Sequence, residues 1–180
     1  MSRTLKVLIV EDSADDTELV LRALRRDGFA PEAERVQTAE ALRAALTSRQ
    51  WDLVIADYSL PQLNGLEALT LVQEAGRDIP FILVSGTIGE ETAVAAVKAG
   101  AHDYLMKGNL TRLGTAVARE LREAALRVEH RQAREDLARR SRELERNFEM
   151  TLGREDRVVE LKREINELLQ LLGKTLKYNV

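Results

Sequence analysis

The stretch Trp51-Asp52-Leu53-Val54-Ile55-Ala56-Asp57-Tyr58-Ser59-Leu60-Pro61 decides how the rest of the chain is read. Leu53 to Ala56 is a short apolar run with β-branched members, the pattern of a strand buried on both faces. It ends in a carboxylate, Asp57. Turn chemistry follows at Pro61 and at Asn64-Gly65 before a helical pattern resumes. In an open parallel sheet, functional groups gather outside the carboxyl ends of the strands, and Asp57 stands at such an end. Taken alone it serves equally well as a cap for the next helix, so its meaning rests on what the other strands bring beside it.

Outward from that stretch the same alternation repeats. Leu5 to Val10 reads as a first strand running into Glu11-Asp12, and Asp12 or Ser13 caps a helix carrying Leu19, Val20, Ala23 and Leu24, closed by Gly28. A weaker strand, Ala33 to Val36, precedes a helix with Leu42, Ala45 and Leu46 on one face. After Asp57 comes a helix with Leu66, Leu69 and Val72, stopping near Gly76. Ile79 to Val84 is a fourth buried strand ending in Ser85-Gly86-Thr87, and a helix with Val94, Val97 and Ala99 ends at Gly100. Asp103 to Met106 is a short fifth strand ending in Lys107, and Leu110 and Leu113 open the last helix. Five strands alternating with five helices predict an α/β fold, a five-stranded parallel doubly wound sheet with right-handed crossovers. A strand order of 2-1-3-4-5 sets the ends of strands one, three, four and five along one edge. There the chain supplies Glu11, Asp12, Asp57, Ser85 and Lys107.

Composition limits the alternatives. With 30 acidic and 27 basic residues the net charge is −3, which carries no global signal for nucleic acid. The absence of cysteine excludes disulfides and thiolate metal sites. The longest apolar runs, Val7 to Val10 and Phe81 to Val84, are far too short to span a bilayer, and strand-like sequence begins almost at once in place of a signal-peptide core. The expectation is a cytoplasmic protein. All three prolines lie in the first half, and beyond about Leu126 charges crowd together while aromatics nearly vanish. A globular domain over 1–125 is therefore expected, followed by a helical extension over 126–180 that continues the last helix of the domain.

The edge cluster has a definite chemistry. Three carboxylates packed together raise one another's pKa, and a divalent cation relieves that. An all-oxygen site with few protein ligands suits Mg²⁺ better than zinc. Lys107 supplies a point charge suited to phosphate, and Ser85 offers a hydrogen bond to a phosphoryl oxygen. Asp57, at the centre of the edge, is the natural nucleophile for an acyl phosphate, with Glu11 and Asp12 holding the metal.

On these residues the chain resembles the receiver domain of two-component response regulators, over roughly residues 4–125. The resemblance is carried by the acidic pair Glu11-Asp12, the run Asp57-x-x-x-Pro61-x-x-x-Gly65, Ser85 after the fourth strand and Lys107 after the fifth. It implies that Asp57 accepts phosphate from a phosphohistidine on a sensor histidine kinase. It implies Mg²⁺ bound through Asp12, Asp57 and the backbone carbonyl of Ser59, with Glu11 acting partly through water. It also implies that Ser85 and Tyr104 form the hydroxyl and aromatic pair that rearranges on phosphorylation, although Tyr104 also reads as an amphipathic aromatic at the sheet rim. Such a protein is a phosphoryl-accepting signalling protein, self-catalysing its phosphorylation and dephosphorylation only, and otherwise not an enzyme. Two departures stand out. Receivers usually carry proline after the lysine, where this chain has Gly108-Asn109, which leaves the approach of Lys107 open. Gly86 follows Ser85 where alanine is common, and Ser59 and Thr87 lie where side chains usually modulate water access. Of the two histidines, His102 reads as a loop residue beside the fifth strand, and His130, among charges, as part of a solvated helix face.

The tail keeps a helical pattern. Leu113, Val117, Leu121, Ala124 and Val128 step by 4, 4, 3 and 4, close to a coiled-coil seam, which turns polar at 131–135 and resumes with Leu137, Ser141, Leu144 and Phe148. Val158, Leu161, Ile165, Leu168 and Leu172 give a clean 3-4-3-4 repeat. Joining the two phases requires a skip near Leu152-Gly153, where a break is possible in principle. The expected use is a homodimer through this helix; the alternative is one amphipathic helix folded back on its own domain. The segment from Gly153 to Gly173 is similar to linker helices that precede output domains in sensor kinases and cyclases. The sequence identifies neither the cognate kinase nor the downstream signalling protein. Three further readings compete. A DNA-binding regulator would use the basic tail, but acids interleave with Arg131, Arg134, Arg139, Arg140 and Arg142, which disfavours nucleic acid. A stand-alone phosphate-relay intermediate would need only the acidic site. A metal-dependent phosphatase would require a substrate pocket and second base that the sequence does not display.

Overall fold

The computed structural model describes residues 3–86 and 90–179, with side chains at 90–92 and 149–154 outside the description; Thr87 therefore lies outside the described residues. The elements run β1 (Arg3–Val10), α1 (Ala14–Arg26), β2 (Phe29–Val36), α2 (Ala39–Ser48), β3 (Leu53–Asp57), α3 (Gly65–Glu74), β4 (Phe81–Ser85), α4 (Glu90–Ala99), β5 (Asp103–Met106), a short 3₁₀ turn (Leu110–Arg112) and α5 (Leu113–Leu171). All strand pairs are parallel and the order is β2-β1-β3-β4-β5, as the alternation predicted. Strand β2 is longer than the weak run at Ala33 to Val36, because pairing along the whole of β1 recruits Phe29 to Glu32 as well.

Both faces of the sheet are covered, and the strands alternate between them. Leu8, Val10, Val54, Ala56, Phe81 and Leu83 pack with Leu42 and Leu46 of α2 and Leu69 and Val72 of α3. Val7, Ile9, Leu53, Ile55, Ile82 and Val84 pack on the other side with Val20 and Leu24 of α1 and with Leu113, Val117 and Leu121 of α5. This period-two partition is why the strands read as unbroken apolar runs. Helix starts are fixed locally. Ser13 Oγ accepts from the Asp16 N–H (3.1 Å), and Thr38 Oγ1 accepts from the Ala41 N–H (3.2 Å). Asn64 and Glu67 form a reciprocal capping box. Gly65 is required for a different reason: a Cβ there would lie 2.3 Å from Leu83 Cδ2 and 2.8 Å from the Asp57 carbonyl oxygen, so only glycine lets α3 start this close to the end of β3.

The structure corrects part of the expected seam. Leu113, Val117 and Leu121, assigned to the dimer interface, are buried in the core. The reason is coverage: without the first turns of α5, Ile55, Ile82 and Val84 would face water. Similarly Leu19, Val94 and Val97 are exposed, and the packing of α1 and α4 is carried by Val20, Ala23, Leu24 and Ala96.

The chain divides into two compact units, Met1–Arg127 and Val128–Val180. In the second, α5 is helical through Gly153, where the sequence offered a break. One glycine costs about 1 kcal/mol against alanine, which its strong helix-forming neighbours offset. Val128 is half-buried, whereas Leu144, Val158, Leu161, Ile165, Leu168 and Leu172 are exposed. After Gly173 (φ 67°) the chain folds back, and the Asn166 side chain accepts from the Lys177 and Tyr178 N–H groups (both 3.1 Å) and donates to the Tyr178 carbonyl (2.7 Å). Among the described residues no helix is long and apolar enough to cross a membrane.

Trp51 is buried, and its indole N–H donates to the Ala45 carbonyl (2.9 Å), so its fluorescence reports on the first unit. Urea unfolding read at Trp51 is expected to show Leu113→Ala losing about 2–5 kcal/mol, while Leu144→Ala changes the value by less than about 0.5 kcal/mol.

Candidate functional site

Strand register assembles the site. Val10 is paired with Ala56, Asp57 with Val84 and Ser85 with Met106, so the chain leaves β1, β3, β4 and β5 at nearly one level. The ladder continues one step further: the Lys107 N–H donates to the Ser85 carbonyl (2.8 Å) and the Tyr58 N–H to the Val84 carbonyl (2.9 Å). Glu11, Asp12, Asp57, Ser85 and Lys107 are thereby delivered to one edge. The question of whether Asp57 caps a helix is also decided, since the cap of α3 is Asn64.

Asp57 is buried, with Oδ1 accepting from the Ser59 N–H (3.2 Å) and Oδ2 from Lys107 Nζ (3.0 Å). Glu11 is buried as well, its Oε1 accepting from the Ser13 N–H (3.1 Å) and its Oε2 lying 2.8 Å from Lys107 Nζ. Asp12 is exposed at the mouth. Glu11, Asp12 and Asp57 each turn one carboxylate oxygen inward, all within 4.8 Å of one another. Opposite oxygens of an octahedral Mg²⁺ stand about 4.2 Å apart, so this hard-oxygen set fits that ion after a small contraction. Ser85 is buried at the end of β4, and Tyr104, half-buried, lies beside Leu83 in the β4–β5 register. Ser59 is exposed.

Two participants were not visible in the sequence as such. Asp16 Oδ2 lies 2.5 Å from Lys107 Nζ. Asp16 lies in the first turn of α1, just inside the Ser13 cap, where acidic residues suit any helix N-terminus, so its sequence position gave no separate signal. Arg35 of β2 donates from Nη1 to the Glu11 (3.1 Å) and Asp12 (2.8 Å) carbonyls, fixing the acidic loop from behind. No sequence pattern announces that contact, because it depends on the β1–β2 register, in which Ile9 faces Arg35. His102 is structural: its Nδ1 accepts from the Phe81 N–H (3.1 Å). His130 is exposed on α5.

Burial pushes the Glu11 carboxyl above its ordinary value of 4.5, against the lowering effect of Lys107 and of the Ser13 N–H. For Lys107, burial works to lower the ammonium pKa, but the hydrogen bonds to Asp16, Glu11 and Asp57 together outweigh it and raise the pKa. The ammonium is thus firmly charged at any physiological pH.

Comparison with known proteins finds relatives of this chain. A family described as "Response regulator receiver domain" matches residues 7–118. Transcriptional regulatory protein PrrA of Mycobacterium tuberculosis is 36% identical over 102 residues, covering 57% of this chain and 43% of PrrA. Nitrogen assimilation regulatory protein NtrX of Azorhizobium caulinodans is 33% identical over 132 residues, covering 72% of this chain and 29% of NtrX. The chain thus spans less than half the length of these relatives. The crystal structure of a response regulator receiver domain protein from Clostridium thermocellum superposes with a TM-score of 0.59 at 25% identity, covering 68% of this chain and 98% of the other.

The raised Glu11 pKa has a signed consequence. In the window just above 4.5 the folded state holds a proton that the unfolded chain has released, so this group's contribution is present below that value and is lost as pH rises through the folded pKa. In EDTA, urea unfolding across that window is expected to show Glu11→Gln gaining on wild type as pH rises. Parallel pH curves would contradict this.

Proposed function

The chain belongs to the response regulator receiver domain family, and from that premise we propose that it is a phosphoacceptor switch whose helical tail is its output or linker. An Asp57 carboxylate oxygen attacks the phosphorus of a phosphohistidine on a sensor histidine kinase. A P–O bond forms as the P–N bond breaks, the electron pair and a proton go to the imidazole, and Asp57 becomes an acyl phosphate. The observation that carries this reading is the convergence of a buried carboxylate at a strand end, two further acidic side chains and a charged lysine 3.0 Å from Asp57.

The division of labour follows from the chemistry of the groups. In this reading Lys107 faces the equatorial phosphoryl oxygens and Ser85 donates its hydroxyl to one of them. Arg35 keeps the acidic loop in place through main-chain contacts. Glu11, Asp12, Asp57 and the Ser59 carbonyl would hold Mg²⁺, which when bound offsets negative charge on the phosphoryl group. Phosphorylation then draws Ser85 inward, and Tyr104 on the adjacent strand repacks. Water attack on the acyl phosphate returns Asp57 and inorganic phosphate, so the protein acts on itself and turns over no separate substrate.

For the tail, the reading is a cytoplasmic homodimer through Val128, Leu144, Val158, Leu161, Ile165, Leu168 and Leu172. The supporting features are the 3-4-3-4 spacing of Val158, Leu161, Ile165, Leu168 and Leu172 and the exposure of those five, from 38% at Ile165 to 69% at Leu172. Arg139 pairs with Asp136 and Arg157 with Glu160, which engages basic groups that nucleic acid would need.

Incubation with phosphoramidate and Mg²⁺ is expected to add one phosphoryl mass to Asp57, and Asp57→Asn to abolish it with the fold intact; labelling of another residue in the variant would refute the assignment. Asp12→Ala is expected to weaken Mg²⁺ binding by at least about tenfold, and unchanged affinity would remove Asp12 from the metal site. Light scattering should give a dimer for the full chain and a monomer for Ile165→Asp. A wild-type monomer would end the coiled-coil reading.

A further inference from the structure

The Lys107 ammonium has three N–H donors and three carboxylates within 3.0 Å. Two of these, Glu11 and Asp57, belong to the acidic triad at the sheet edge. The third, Asp16, stands outside that triad and makes the shortest contact, 2.5 Å. Asp16 is itself held in place, since its own N–H donates to Ser13 Oγ at the start of α1 (3.1 Å). The Lys107 main chain is fixed too, its N–H donating to the Ser85 carbonyl (2.8 Å) and the Asn109 N–H to the Met106 carbonyl (2.9 Å), but these bonds do not orient its long side chain. Strand β5 ends at Met106, Gly108 follows Lys107, and a side chain at Gly108 would find nothing within 4 Å. The four-carbon lysine stem has many rotamers to lose, so a partner on another element must select one.

The choice of partner matters once the triad is in use. A cation held by Glu11, Asp12 and Asp57 takes carboxylate oxygens away from the lysine, and phosphorylation converts Asp57 from a partner of Lys107 into the bearer of the group it must meet. Asp16 is the one of the three whose oxygens neither event claims. We infer that Asp16 is a positioning residue for phosphoryl transfer, anchoring Lys107 from α1 so that its ammonium faces Asp57 whether or not the triad is engaged. This rests on the phosphoacceptor reading. It assigns to the first turn of α1 the restraint on the lysine that the glycine after it does not provide. Asp16 acts through Lys107 and touches no reacting atom.

The test uses the full chain, phosphoramidate as donor, a Mg²⁺ titration, and intact mass to follow Asp57 labelling, with Trp51 unfolding midpoints to establish that each variant is folded. Asp16→Asn is expected to slow labelling about tenfold at saturating Mg²⁺, with the half-saturating Mg²⁺ concentration unchanged within about twofold. Asp16→Glu, which keeps the charge, should recover most of the rate. In a Lys107→Ala background, Asp16→Asn should have no further effect, because the two changes remove one interaction. An unchanged rate in Asp16→Asn overturns the inference. So does a loss that persists undiminished without the lysine, or a Mg²⁺ shift as large as the rate loss. If wild type itself fails to label at Asp57, the phosphoacceptor reading falls and takes the inference with it; every other outcome starts from a labelled wild type, so the two failures are distinct.

Discussion

Carboxylates desolvated side by side need a counter-charge, and the single ammonium of Lys107 supplies it at the carboxyl edge of the sheet. Glu11 and Asp57 are both buried, and each places an oxygen within 3.0 Å of that nitrogen. Removing the lysine would leave two like charges facing each other in a medium where they are poorly screened. The surrounding architecture serves this constraint. Parallel register brings the ends of β1, β3 and β5 to one level, Gly65 lets α3 begin against the Asp57 carbonyl, and Arg35 holds the acidic loop by its main chain. The same arrangement leaves more carboxylates than ammonium groups at the edge, a deficit of positive charge that a divalent cation would relieve.

Helix α5 does two jobs along one continuous element. Its first three turns are core, closing the face of the sheet that α1 alone does not cover. Farther on, its apolar residues are solvent-exposed and spaced for a seam. A heptad-like spacing extends over both parts, and for that reason spacing alone merged them. An amphipathic stripe says that a helix buries one face; it does not say whether a sheet or a second helix covers it.

Most of the architecture was legible because it rests on local signals. Unbroken apolar runs such as Phe81 to Val84 mark strands covered on both faces, and Ser13 sits where α1 needs its free N–H groups satisfied. The acidic pair, Asp57, Ser85 and Lys107 could be placed at one edge because each directly follows a strand, and parallel strands point the same way. Less legible were the ends of strands. Strand β2 begins at Phe29, well before its apolar pattern, because hydrogen bonding to β1 and not side-chain burial holds Pro31 to Glu34 in the sheet.

By itself, then, the sequence determined the order of strands and helices, the edge on which the chemistry gathers, and the identity of the residues that follow each strand. Those are consequences of periodicity and chain direction, which are written residue by residue. Only the tertiary structure decided that Leu113, Val117 and Leu121 belong to the core, that Arg35 grips the acidic loop, and that Asp16 reaches Lys107 across 91 positions of sequence. Each of these depends on which surfaces meet and in what register, and contacts between elements far apart in the chain leave no local pattern from which they can be read.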